Sequence, residues 1–235
     1  MGRWYPAVVA LLTTSLVVSN IIAVRLIALD ISDAIALTLP AAIVLFPVAY
    51  IVGDVLTEVY GYSAARRGIW IAFGCNLLAV IAIWLAGVLP AAPFWNAGVY
   101  QTPEQADQAY RAILGFTPRL LVASFLAYLV GEFLNSFVLA KMKLRTGGRY
   151  LWMRTIGSTL IGQGADSIIF IMVAFFGILP TSALMTAIVS QWFVKSIYEA
   201  LATPITYWVV NGLKRSEGID AFDRNTDFRP VRLLR

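Results

Sequence analysis

"VGDVLTEVYGYSAARR", residues 52–67, sets Asp54 and Glu58 four residues apart in an apolar run and stops at Arg66 and Arg67. The preceding "LTLPAAIVLFPVAYI", residues 37–51, carries no charge at all. At i and i+4 the two carboxylates share one helix face. In a soluble protein that face would simply meet water. The composition points elsewhere: the 235-residue chain is 60% hydrophobic and only 13% charged, against about 25% charged in soluble domains. Long apolar stretches at low charge mean that the chain is solvated by a bilayer. The Asp54–Glu58 face must then look into protein or a water-filled cavity.

Working outward from this stretch, six apolar segments are long enough to cross a membrane: 5–29, 35–60, 68–89, 118–140, 153–179 and 182–212. They predict an all-α integral membrane domain over residues 1–212 and a polar tail, 213–235, expected to be partly disordered. The first segment lacks the small-residue cleavage site of a signal peptide. The links alternate in charge. Asp30 and Asp33 follow the first segment, and Glu104 and Asp107 lie in the long link 90–117. Arg66, Arg67, Lys141, Lys143, Arg145, Arg149, Arg154, Lys214 and Arg215 fall on the other side. Basic links stay cytoplasmic, so both termini are expected in the cytoplasm. In the long link, Thr102 reads as a cap and Pro103 as the first residue of a short surface helix.

The chain has no histidine and one cysteine, which removes His-ligated metals, imidazole relays and intrachain disulfides. Cys75 lies in an apolar run and reads as a small buried hydrophobe. Glycine loops that cradle phosphate are missing, so no nucleotide is hydrolysed by this chain and no cofactor is called for. The informative residues are polar ones at membrane depth, where a charge costs about 2.5–3.5 kcal/mol. At ~1.5 Å per residue, Glu132 lies ~20 Å and Asp166 ~18 Å into their segments. Lys195 and Glu199 repeat the i, i+4 spacing and are expected to pair within one helix. Asn20 and Arg25 lie in the outer half of the first segment, with Arg25 able to snorkel. The buried set is acidic: Asp54, Glu58, Glu132, Asp166 and Glu199 against Lys195 and Arg25. Such a surplus suits a donor-rich or cationic ligand, or protons. In "STLIGQGADSIIF", Gly162 and Gly164 permit close helix contact or an irregular backbone around Gln163. Pro40, Pro47 and Pro204 read as helix-interior prolines. Phe46, Tyr50, Trp192, Tyr198 and Tyr207 read as packing, with Phe46 and Trp192 available to stack on a planar ligand.

Three classes of function compete. An intramembrane enzyme finds little support: "YIVGD" and "GQGAD" approach aspartyl-protease motifs, but with the wrong spacing in both. A non-transporting assembly protein would not need polar residues at midplane. A transporter would. "SNIIAVRL", "FPVAYIVGDVLTEVYGYSAARRGIW", "GQGADSIIFI" and "QWFVKSIYEALATPITYWVV" together resemble the YhhQ-like vitamin uptake transporter family of queuosine precursor transporters.

The resemblance runs from about Ser19 to Asn211, and "DVLTEVYGY…ARR" is its most specific part. It implies six transmembrane helices, similar in layout to the substrate-binding subunits of energy-coupling-factor importers. It implies import across a bacterial inner membrane of 7-cyano-7-deazaguanine, 7-aminomethyl-7-deazaguanine or queuine. Carried over by motif, the binding residues are Asn20, Asp54, Glu58, Gln163, Asp166, Lys195 and Glu199. The partners are that small molecule and the lipid bilayer. A homodimer is left open, and nucleic acid is not a partner. The chemistry agrees: a guanine-like edge offers a ring N–H beside an exocyclic amine, and one carboxylate accepts both. Asp54 is expected to face the ligand. Glu58 is expected to close the inner mouth by pairing with Arg66 or Arg67, provided that Gly61 breaks the helix.

Overall fold

The computed structural model describes residues 2–32, 35–115 and 118–231. Among these residues seven α-helices follow one another: α1 Tyr5–Ile22, α2 Phe46–Tyr60, α3 Tyr62–Val88, α4 Pro103–Leu114, α5 Pro118–Thr146, α6 Leu151–Phe175 and α7 Thr181–Glu217. An antiparallel hairpin, β1 Leu26–Ser32 with β2 Ile35–Pro40, and a 3-10 turn at Ala41–Val44 separate α1 from α2.

This hairpin corrects the first two expected segments. Residues 23–29 leave the first helix and 35–45 never join the second; Leu26 pairs with Pro40 and Asp30 with Ala36. A continuous apolar run satisfies a strand as well as a helix. Asp33 lies outside the described residues. Two prolines change meaning with it. Pro40 closes β2, and Pro47 sits in the first turn of α2, where a missing N–H costs nothing. Only Pro204 lies inside a helix.

α2 is the shortest of the apolar helices, at 15 residues, or about 22 Å. It is also the most enclosed: every residue from Val52 to Val59 is buried. Val52 and Leu56 pack with Tyr5, Val9 and Leu12 of α1 and Ala64, Ala65 and Ala72 of α3. Val55 and Val59 pack with Leu151 of α6 and Val210 of α7. Thr57 donates to Ser136 of α5 at 3.0 Å. With apolar side chains committed on both flanks, Asp54 and Glu58 have only the protein interior to face. α2 stops at Gly61, whose φ of +85° breaks the axis as expected and lets α3 start at Tyr62.

α5 and α6 approach closely at Gly131 and Gly162. A Cβ added to Gly162 would lie 2.8 Å from the Gly131 carbonyl and from the Asn135 Cβ. Small residues facing one another are how membrane helices gain contact without a hydrophobic driving force. The surface helix α4 forms where expected, with the Thr102 hydroxyl accepting from the Gln105 N–H.

As far as residue 231, the tail is ordered against the bundle, contrary to the sequence expectation. Asp223 accepts from the Tyr62 N–H at 2.9 Å and Ala221 donates to the Val59 carbonyl at 3.1 Å. Trp70 donates to the Pro230 carbonyl at 2.9 Å. Phe228 lies against Tyr62 and Phe137, over an apolar cleft of about 430 Å3 shared with Trp70 and Phe133. The helix break at Gly61 strands polar groups, and the tail satisfies them. Cys75 is another correction: it is exposed on the outward apolar face of α3, near Ile71 and Leu78.

Candidate functional site

Two polar centres flank α2, one turn apart. The first is built on Glu58, which is fully buried. Its Oε1 accepts from Arg154 at 2.8 Å and Lys214 at 2.7 Å, and Lys143 lies 3.4 Å away. Lys143 also donates to the Glu58 carbonyl at 2.5 Å, to Asp220 at 2.5 Å and to the Ala221 carbonyl at 2.7 Å. Lys214 reaches Asp220 at 2.8 Å. Burial alone would raise the Asp220 carboxyl, but hydrogen bonds and charge from Lys143 and Lys214 hold it below the usual carboxylate range. The expected pairing of Glu58 with Arg66 or Arg67 is therefore replaced. Arg66 donates to the Asp227 and Arg229 carbonyls of the tail at 2.9 and 2.8 Å. With three cations around Glu58 and Asp220, this centre is a structural lock joining α2, α5, α6, α7 and the tail.

The second centre is acidic. Asp54 is buried and its Oδ1 accepts from the Asn135 amide at 3.2 Å. Glu199 comes within hydrogen-bonding reach of Asp54. Asp166 pairs with Lys195, which corrects the expected Lys195–Glu199 pair: the cation leaves its own helix and reaches α6. Glu132 lies where Asp166, Lys195 and Glu199 act on it electrostatically, and Tyr50 feels Asp166, Glu132 and Glu199. Asp54 Oδ2, Asn135 Oδ1 and both Glu199 oxygens are buried and meet no donor among the described residues. Burying an acceptor without a donor costs about 1–3 kcal/mol; the Asp54 and Glu199 carboxyls can share one proton between them, while the Asn135 carbonyl and the remaining carboxylate lone pairs are left for something with hydrogens to give.

The remaining expected residues are placed as follows. Gln163 is buried on α6. Asn20 donates to Asn76 at 2.8 Å, tying α1 to α3. Trp192 donates to the Leu160 carbonyl at 2.9 Å, with its ring against Gly164. Phe46 opens α2, but its side chain lies outside the described residues. The structure thus brings Asp54, Asp166, Lys195 and Glu199 together and assigns Glu58 to a separate centre.

Residues 40–209 match the family described as "Putative vitamin uptake transporter". The chain belongs to the vitamin uptake transporter family. This family member is a transporter, not an enzyme, and its apolar helices make it a multi-pass membrane protein. It is 30% identical over 176 residues to the "Probable queuosine precursor transporter" of Bacillus subtilis (strain 168), covering 74% of this chain and 73% of that one. It is 26% identical over 131 residues to the "Queuosine precursor transporter" of Escherichia coli (strain K12), covering 56% of this chain and 52% of that one. No solved structure matches the vitamin uptake transporter chain.

Two residues of the acidic centre were not in the transporter's motif-based set. Glu132 had a signal, because it is an acid ~20 Å deep. Asn135 had a weaker one: it stands three residues further on, and i, i+3 neighbours share a helix face.

Proposed function

We propose that the chain imports a queuosine precursor, one of 7-cyano-7-deazaguanine, 7-aminomethyl-7-deazaguanine or queuine, from outside the cell into the cytoplasm. The observation that carries this reading is the cluster of buried acceptors on Asp54, Asn135 and Glu199, which holds more acceptor atoms than donors to meet them. A 7-deazaguanine brings a ring N–H and an exocyclic amine on one edge, which a carboxylate takes bidentately. An adenine-like edge leaves those acceptors unpaired, and such a mismatch discriminates strongly. The names of both relatives point to the same substrate class.

The bundle would cross a bacterial inner membrane six times, through α1, α2, α3, α5, α6 and α7. Tyr5–Ile22, Tyr62–Val88, Leu151–Phe175 and the stretch containing α5 are long and apolar enough by themselves. α7 is 37 residues long and gives up hydropathy only where Lys195 and Glu199 turn inward. α2 is too short for the ~30 Å hydrocarbon core. It crosses within protein, preceded by the β1–β2 hairpin and the 3-10 turn. The layout resembles an energy-coupling-factor substrate-binding subunit, and the drive is a gradient, trapping of the imported base by a downstream enzyme, or a separate ATPase module. Uptake of labelled 7-cyano-7-deazaguanine in a strain unable to make it tests the reading. Expression of the chain should restore uptake, and a protonophore should tell a proton gradient from the other drives. No uptake of any of the three precursors would reject the proposal.

A further inference from the structure

We propose that Asn135 is a specificity-determining residue, whose carbonyl reads the second hydrogen of the ligand's exocyclic amine; this rests on the 7-deazaguanine reading above. Asn135 is nine-tenths buried, with 6% exposure. Its amide has one donor end and one acceptor end. Asp54 Oδ1, 3.2 Å away, takes the donor end. Turning the amide over would set oxygen against carboxylate, so its orientation is dictated by Asp54. Oδ1 therefore points away from Asp54 and meets no donor among the described residues. The Asn135 backbone has no freedom to withdraw, because Gly162 of α6 lies against its Cα and Cβ.

The hydrogen count then closes. An exocyclic amine and the adjacent ring N–H present three hydrogens on one edge. A carboxylate takes the ring hydrogen and one amine hydrogen. The other amine hydrogen needs a neutral acceptor beside that carboxylate, and Asn135 Oδ1 is one. The same residue orients Asp54 and completes the recognition of the amine.

The test uses the purified full chain in detergent and three ligands: 7-cyano-7-deazaguanine, the same ring without its exocyclic amine, and the same ring with that amine methylated once. Wild type should prefer the parent over the amine-free ligand by at least about tenfold, as expected for one to two buried hydrogen bonds. Asn135→Ala should cut that preference by about tenfold, beyond any loss that both ligands share through Asp54. Equal weakening of both ligands would show a purely structural role and overturn the assignment. Should the alanine variant not fold, the methylated ligand decides on wild type alone. Binding as tight as the parent's would mean that the second hydrogen is unread, and loss of binding supports the assignment. Wild type that binds no 7-deazaguanine rejects the transport reading itself; unchanged preferences in a protein that does bind reject only the role of Asn135.

Discussion

Asp54 and Glu58 share a helix face and meet opposite surroundings. Glu58 holds three cations at its Oε1, whereas Asp54 faces other acceptors. Their substitutions should separate accordingly. Glu58→Gln leaves Lys143, Arg154 and Lys214 crowded around a neutral amide. Losing one partner of a buried ion pair costs about 3–5 kcal/mol, so the midpoint of thermal unfolding in detergent should fall sharply. A variant as stable as wild type would contradict the lock. Asp166→Asn removes a carboxylate that Lys195 needs. Uptake should fall at least about tenfold, and the double change with Lys195→Met should recover folded yield better than either single change. If the double variant also transports, the pair belongs to packing and not to the path. The sequence picked out the acids but not their partners. Spacing along one helix can reveal Lys195–Glu199 as neighbours; it cannot show that Asp166, 29 residues earlier, is the group Lys195 chooses.

Among elements, α5 and α6 make the tightest approach. Gly131 and Gly162 leave no room for a side chain, whereas a Cβ on Gly74 meets nothing within 4 Å. Gly162→Val should lower stability by about 1–3 kcal/mol through overpacking and reduce ligand binding by displacing Asn135. Gly74→Ala should do neither. Unfolding and binding measured on both variants check this, and equal tolerance would remove the close contact from the argument. The apolar helices α3, α5 and α6 were legible because long apolar periods bounded by arginines, prolines and glycines admit one reading. The hairpin at 26–40 was not, since uninterrupted Ile, Leu and Ala fit a strand or a helix equally. The ordered tail was hidden for a similar reason. Its polar composition looks disordered until Tyr62, Arg66 and Trp70 are seen to need its carbonyls and Asp223.

Across the whole molecule, the charge bias of the links predicts which end faces the cytoplasm. In a Cys75→Ala background, a cysteine replacing exposed Glu104 should react with an impermeant thiol reagent from outside, and one replacing exposed Arg145 should not. The reverse pattern would invert the topology. The tail carries its own pH dependence. The folded-state pKa of Asp220 is depressed, so its contribution is present above the unfolded value near 3.9 and is lost only as pH falls through the lower folded value. Protection of the tail from proteolysis at Arg224 should stay constant from pH 8 to about pH 5 and weaken only below about pH 4. Release near neutrality would mean that another group holds the tail.

The lock around Glu58 has a consequence in time. Its cations arrive 85, 96 and 156 residues after it along the chain. At about 5–20 residues per second of synthesis, the last of them trails by roughly 8–30 s. Throughout that interval a short helix bearing two acids has no complete set of partners, and lipid offers it none. α2 is therefore poorly suited to enter the bilayer when it leaves the ribosome. It must wait at the interface, beside the insertion machinery, until α7 and the tail emerge. A ribosome that stalls before Lys214 would strand it there, a ready substrate for membrane quality control.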